Sequence, residues 1–381
     1  MPPRPPSEGG RAWLELETAD FLVRTDLDEG HARAEMNRLE ELRAALLTAI
    51  LPNVTLPTGQ MPVIVLADRP EWTHFFSEAI GGMMIDRVLF KPLILYSGEQ
   101  HLKDIDLVKH ELTHFILRLY LRHLPPWFDE GLAAFFETMQ IDEEHGTLTL
   151  GAPSRRFGEI RDTMMPLDKV VAYLRAPEDT LFYATSWLLV HYLMYHETER
   201  FAAFRRYLQS PTTAERAWDL AFAERPLTSL ETDVREYTRS GKFGFLERRF
   251  TVPRPVPAVR RLGELEVRRV FATLYLTSIG AGREAAEARR LAGAHVDAAL
   301  RLAPRDVEAN ALAVVVRDER GPVLAERAHA VADVHPESWL AWALVALSAA
   351  TEAERGQAET KARELSAGDP AVGFGRPAAD P

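Results

Sequence analysis

Apolar positions recur at two different periods along this chain, and the changes of period divide it. In DEGHARAEMNRLEELRAALLTAI, Met36, Leu39, Leu42, Leu46 and Ile50 follow helical spacing. FLVRTDL (21–27) before it and MPVIVLA (61–67) after it read as short strands, the second ended by DRPE, a turn-like cluster able to start a helix. RVLFKPLILYS (87–97) alternates less cleanly, and its central Pro92 demotes it to an edge strand or a pair of short ones. From 105 to about 250 the pattern is mainly helical. Pro125-Pro126 separates two helices, GAPSRRFGE (151–159) is a loop, and DTLFYATSWLLVHYLMYH (179–196) is a strongly apolar helix. TVPRPVPAVRR (251–261) carries Pro253, Pro255 and Pro257 with no helical pattern, and reads as a semi-rigid linker.

Beyond the linker, Pro304, Pro336 and Pro370 lie 32 and 34 residues apart, each closing a helical segment. A period near 34 with a helix-ending proline is the signature of tetratricopeptide repeats. Gly280, Ala292, Ala346 and Ala358 fall where that repeat wants small residues, and Trp342 fits its usual tryptophan. Leu312 and Leu324 depart from the pattern in the middle unit. The stretch resembles a degenerate array of about three such repeats. The expected division is a disordered Pro/Gly-rich start (1–10), a domain over 11–250 with a sheet part (11–104) and a helical part (105–250), a linker (251–262) and the helical array (263–381).

Composition narrows the function. At 381 residues, two domains are the natural expectation, and 46% hydrophobic with 27% charged residues is an ordinary core-forming mixture. A net charge of -11 argues against a nucleic-acid binder, which needs Lys and Arg to neutralise phosphates. The absence of cysteine removes disulfides, thiolate catalysis and Cys-type zinc sites together. MPPRPPSEGGRAWLELE has no apolar core of signal-peptide length, and no run of apolar residues is long enough to span a bilayer. As written, the chain is expected to be cytoplasmic.

The chemistry concentrates in DLVKHELTHFILRLYLRHLPPWFDEGLAAFFE, residues 106–137. His110 and His114 are four apart, so a helix puts them on one face, and HELTH fits the HExxH pattern. Two imidazoles so placed can share one zinc ion, with Glu111 beside the metal to take a proton from water. Leu107, Val108, Leu112, Phe115 and Ile116 make the helix mostly buried, leaving Lys109 and Arg118 for an outer face. Histidines stranded among such neighbours without a partner would be costly; a metal supplies one. A catalytic zinc usually takes three protein ligands. Glu130, early on the helix after the Pro-Pro turn, is the favoured third, with Asp129 competing and His123 behind both. Apart from ligation, Asp129 reads as a first-turn acid that suits the helix dipole. Glu137 reads as an exposed acid, or as a group holding a ligand histidine from outside.

HELTH followed by PWFDEGLA resembles the gluzincin metallopeptidases, especially the bacterial peptidase MA-like group. The similarity covers roughly residues 20–250, but its specific motifs fill only 107–137 and, weakly, 183–193. It implies an α+β fold in which a small mixed sheet packs on the active-site helix beside a helical subdomain. It also implies His110, His114 and Glu130 as zinc ligands, Glu111 as general base, and tight helix packing at Gly131 and Ala133. Tyr183 in FYATSWLLVHYL is the matching candidate for the oxyanion donor, the alternative being a core tyrosine on an apolar helix, while His191 reads as simply packed. Resembling enzymes lay an extended peptide along a sheet edge, which makes 87–97 the candidate edge.

The expected function is therefore zinc-dependent peptide hydrolysis, with the helical repeats recruiting a protein substrate or partner. The alternative is a non-catalytic interaction scaffold carrying a zinc-binding pseudopeptidase domain. His₂Glu suits zinc best, although cobalt or manganese can substitute in such a set.

Overall fold

The computed structural model describes residues 3–50, 59–78, 81–89, 91–98, 105–121, 124–153, 158, 163–210, 212–279, 282–319 and 321–366. Strands β1 (Leu14–Glu17) and β2 (Phe21–Thr25) lead into α1 (Glu29–Ile50), β3 (Met61–Leu66), α2 (Arg69–Phe75), β4 (Gly82–Val88) and β5 (Lys91–Ser97). Next come α3 (Ile105–Tyr120), α4 (Pro126–Glu137), β6 (Gln140–Asp142), β7 (Thr147–Leu150), α5 (Leu167–Ala172), α6 (Thr180–His196), α7 (Thr198–Gln209), α8 (Ala214–Ala221), α9 (Leu227–Ser240) and β8 (Leu246–Arg249). The chain continues through β9 (Ala258–Arg261), α10 (Glu264–Thr277), α11 (Ala285–Leu302), α12 (Val307–Arg317), α13 (Gly321–Ala332), α14 (Trp339–Ser348) and α15 (Glu352–Leu365). The described residues fall into two compact units, those within 1–38, 55–103 and 255–381, and those within 39–54 and 104–254.

The first unit is a mixed sheet in the order β4-β5-β3-β2-β1-β9. β2, β3 and β5 run parallel, joined by crossovers, because parallel neighbours cannot be linked by a tight turn. The stretch 87–97 resolves into a hairpin, with β4 at the edge and β5 inside. Pro92 is tolerated because it lies opposite the register shift between Ile85 and Val88, before the β3 ladder begins at Ile94. One core joins Ile64, Leu66, Leu93 and Leu95 of the sheet to Trp72 and Phe75 of α2 and to Val267, Phe271 and Leu274 of α10.

Charges reinforce that junction. Glu15 and Arg24 are cross-strand partners on β1 and β2, and Arg24 also reaches Glu308 of α12 at 2.9 Å. Arg269 of α10 holds Asp306 at 2.8 Å.

The expected division into 11–250 and 263–381 is therefore not the one observed, since the sheet shares its core with the C-terminal helices. Nor is 251–262 only a linker, because β9 pairs with β1 over residues 258–261. The start is also more ordered than expected: Pro6–Glu8 form a short 3₁₀ turn, and Arg268 donates to Ser7 and Glu8. A second core, with Ala328, Val331, Leu344 and Ala358, joins helices α12 to α15. Ala292, Leu312, Leu324 and Ala346 are buried as well. Gly280 and Pro370 lie outside the described residues.

In the second unit α3, α4 and α6 form the centre, with a small antiparallel sheet β6-β7-β8 that the helical reading of this region misses. α6 is apolar almost all round, as a central helix must be, and is buried along most of its length from Phe182 to Leu193. Among the described residues no helix is long and apolar enough to cross a membrane.

Candidate metal centre

α3 and α4 bring the predicted ligands together. His110 and His114, one turn apart on α3, set their Nε2 atoms 3.1 Å from each other, with ring planes at 81°. Glu130, in the second turn of α4, places Oε2 3.4 Å from His110 Nε2 and 3.5 Å from His114 Nε2. All three side chains are largely shielded from solvent. Gly131 makes this placement possible. A Cβ there would meet the Ser186 carbonyl oxygen at 2.5 Å, so only glycine lets α4 approach α6 this closely beside Glu130.

The far sides of the rings are also held. His114 Nδ1 lies 2.7 Å from Asp129 Oδ1, and His110 Nδ1 lies 3.2 Å from Glu137 Oε2. Carboxylates accept, so each ring carries its proton on Nδ1 and turns an Nε2 lone pair inward. With both rings neutral, the 3.1 Å approach is a meeting of two acceptors, with a carboxylate oxygen as a third. Three acceptors converging without a donor repel one another unless a cation lies among them. Donors about 2.0–2.1 Å from one tetrahedral ion are roughly 3.3 Å apart, the size of the observed triangle. His110, His114 and Glu130 are the group among the described residues that can hold a metal ion.

The electrostatics agree. Burial disfavours a charged imidazole at both positions, yet Glu130 and Glu137 raise the pKa of His110, and Asp129 with Glu130 raises that of His114 well above its usual value. Burial likewise opposes ionisation of Glu130, but with protons on the inward imidazole nitrogens in place of a metal, hydrogen bonds from the two rings hold its carboxyl well below the usual carboxylate range. A site that stabilises positive charge among its ligands in this way is suited to a metal cation.

Asp129 is therefore no ligand of the inward triangle; it holds His114 from behind and is itself held by Arg118 at 3.3 Å. Glu137 is buried rather than exposed, and Lys109 is buried rather than on an outer face. The Lys109 ammonium donates to the carbonyls of Glu137 and Met139 at 3.0 and 2.7 Å and to Asp106 at 2.9 Å, closing the C-terminal end of α4. Glu111 is half-buried between the two ligand histidines on α3. Tyr183 is half-buried in the first turn of α6, three residues before Ser186, its ring edge-on to Phe182 at 5.7 Å. His191 is packed as expected, fully buried between the Gly151 carbonyl and the Tyr237 hydroxyl. His123 lies outside the described residues.

The site thus defines a helix pair that can hold a metal ion within an α+β protein. Residues 104–214, which contain the whole ligand set, match the model of a family described as protein of unknown function, DUF1570. No curated protein matches the chain.

Proposed function

We propose that the second unit is a zinc peptidase of the gluzincin type. The observation that supports it best is the convergence of two imidazole nitrogens and one carboxylate oxygen, each imidazole being held on its other nitrogen by a second carboxylate. A His₂Glu set that leaves a fourth position for water is the donor set of catalytic rather than structural zinc. Bound there, zinc lowers the pKa of its water to about 7 and polarises a scissile carbonyl. Glu111 takes the attacking water's proton and delivers it to the leaving amine. The Tyr183 hydroxyl donates to the oxygen on which negative charge develops. Asp129 and Glu137 move no proton; they keep both ligand rings in the tautomer that presents Nε2. In this reading the C-terminal helix pairs are degenerate tetratricopeptide repeats that recruit a protein substrate or partner.

The test is elemental analysis of the wild type beside Glu130→Ala, with cleavage of a denatured protein assayed in parallel. One zinc per chain, lost in the variant together with chelator-sensitive cleavage, is the expected result. Zinc without cleavage would leave the non-catalytic scaffold, and no metal after zinc addition would overturn the site itself.

A further inference from the structure

Consecutive residues of α3 grip the same residue of α4 in two places. His110 Nδ1 donates to the Glu137 carboxylate at 3.2 Å, and the Lys109 ammonium donates to the Glu137 carbonyl at 3.0 Å. The other two protons of that ammonium go to the Met139 carbonyl at 2.7 Å and to Asp106 Oδ1 at 2.9 Å, so all three donors are used. Lysine is almost never fully buried unless paired, and Lys109 is buried. Water can satisfy the last carbonyls of a helix; a buried ammonium holding the chain at two of them also fixes where they stand.

The two ligand rings differ in slack. His114 is held by Asp129 at 2.7 Å, whereas the 3.2 Å of His110 lies at the long end of the hydrogen-bond range. A retreat of Glu137 by about 0.4 Å would open the His110 contact to ~3.6 Å, where it is no longer a hydrogen bond. A glutamate side chain also has up to roughly 1.5–2 kcal/mol of rotamer freedom to lose. A long contact holds such a chain poorly unless its backbone is fixed from elsewhere. Lys109 supplies that fixing, and it does so from the residue next to the ligand.

We propose that Lys109 is a positioning residue of the metal centre: by fixing the Glu137 backbone it keeps the Glu137 carboxylate on His110 Nδ1, and so keeps the Nε2 lone pair turned toward the metal. Lys109 acts through Glu137 and touches neither metal nor substrate. The inference rests on the metal-binding part of the reading above and not on peptide cleavage.

The test is a double-mutant cycle read as zinc affinity, measured by chelator competition on full-length protein whose folding is checked by circular dichroism. Glu137→Ala is expected to weaken zinc binding by roughly 10–100-fold, the usual weight of a group that orients a ligand histidine. Lys109→Met should weaken it about tenfold, and should cost nothing further in the Glu137→Ala background, because its effect passes through that carboxylate. A merely structural lysine would lower the unfolding temperature and leave the zinc affinity of the folded protein where it was. Should Lys109→Met fail to fold, Lys109→Arg decides. It keeps the charge and the donors but spreads them over a planar fork, so weaker zinc binding is expected there too, and wild-type affinity would overturn the proposal. Unchanged affinity in Lys109→Met, or a loss that persists in the Glu137→Ala background, overturns it as well; the wild type still binds zinc in these cases, so the metal centre stands and the role of Lys109 falls. A wild type that takes up no zinc ends both. Zinc bound without cleavage, with the cycle closing through Glu137, supports Lys109 and ends the peptidase reading alone.

Discussion

Asp129 and Glu130 are neighbours in the chain and address opposite nitrogens of one imidazole. Asp129 Oδ1 lies 2.7 Å from His114 Nδ1, and Glu130 Oε2 lies 3.5 Å from His114 Nε2. Successive residues of a helix point about 100° apart, so a ring inserted between α3 and α4 can be gripped on both sides by adjacent positions.

Asp129→Asn keeps an acceptor for the Nδ1 proton but removes the charge that makes the ring a stronger donor to metal. Zinc affinity is expected to fall by roughly 10–100-fold. Competition against a chromophoric chelator at neutral pH measures it. Unchanged affinity would mean that the aspartate serves only Arg118.

Glu111→Gln should retain zinc and lose hydrolysis by about 10²–10⁴, the usual contribution of a general base. His114→Ala should lose both, because it deletes one vertex of the triangle. Metal content and cleavage rates on the two variants check this together, and undiminished zinc in His114→Ala would refute its place in the triangle.

The triad was legible because helical periodicity puts His110 and His114 on one face, the Pro-Pro turn puts Glu130 just inside the next helix, and the resemblance to the gluzincins singles out Glu130 over Asp129 and His123. The outer groups were harder to see. Glu137 follows Glu130 by seven residues, two turns of helix, which is the one signal that could have put it in the same stripe. Lys109 looks like an outward residue on a helical wheel. Its long stem lets the ammonium reach the end of a different helix, which no single-helix pattern reports. β9 was hidden by the prolines before it, and its partner β1 lies more than 240 residues away in the chain. The core shared by sheet and C-terminal helices depends on such long-range pairings, which local periodicity does not encode.

Two glycines within helices should respond oppositely to alanine. At Gly131 the new Cβ would stand 2.5 Å from a backbone oxygen and 2.7 Å from Val190 Cγ2. Overpacking of this kind costs about 1–3 kcal/mol, more than the roughly 0.8–1.0 kcal/mol that alanine returns as helix propensity. At Gly356 on α15 nothing lies within 4 Å, so there the propensity gain stands alone. Denaturant unfolding of both variants should show Gly131→Ala less stable than wild type and Gly356→Ala more stable. A stabilised Gly131→Ala would contradict the close approach of α4 to α6.

His191 gives the second unit an acid sensitivity unrelated to metal binding. Its Nε2 donates to the Gly151 carbonyl at 3.1 Å, and its Nδ1 accepts from the Tyr237 hydroxyl at 3.1 Å, which in turn accepts from the Gly244 amide at 3.3 Å. Burial lowers its pKa to about 4, and the hydrogen bond to Gly151 only partly opposes this. An unfolded histidine titrates near 6.5, so below that pH the unfolded chain binds a proton that the folded one refuses. The stability contributed by the neutral ring is complete above pH ~6.5, declines as the pH falls, and stops changing below about 4. Between pH 7.5 and 4.5 the loss is roughly 2–3 kcal/mol. His191→Phe forfeits the two hydrogen bonds and is less stable at neutral pH, but its stability should fall correspondingly less over that interval. Urea unfolding at several pH values, in metal-free protein for both chains, measures the difference in slope. Parallel pH profiles would show that His191 is not held neutral by this site.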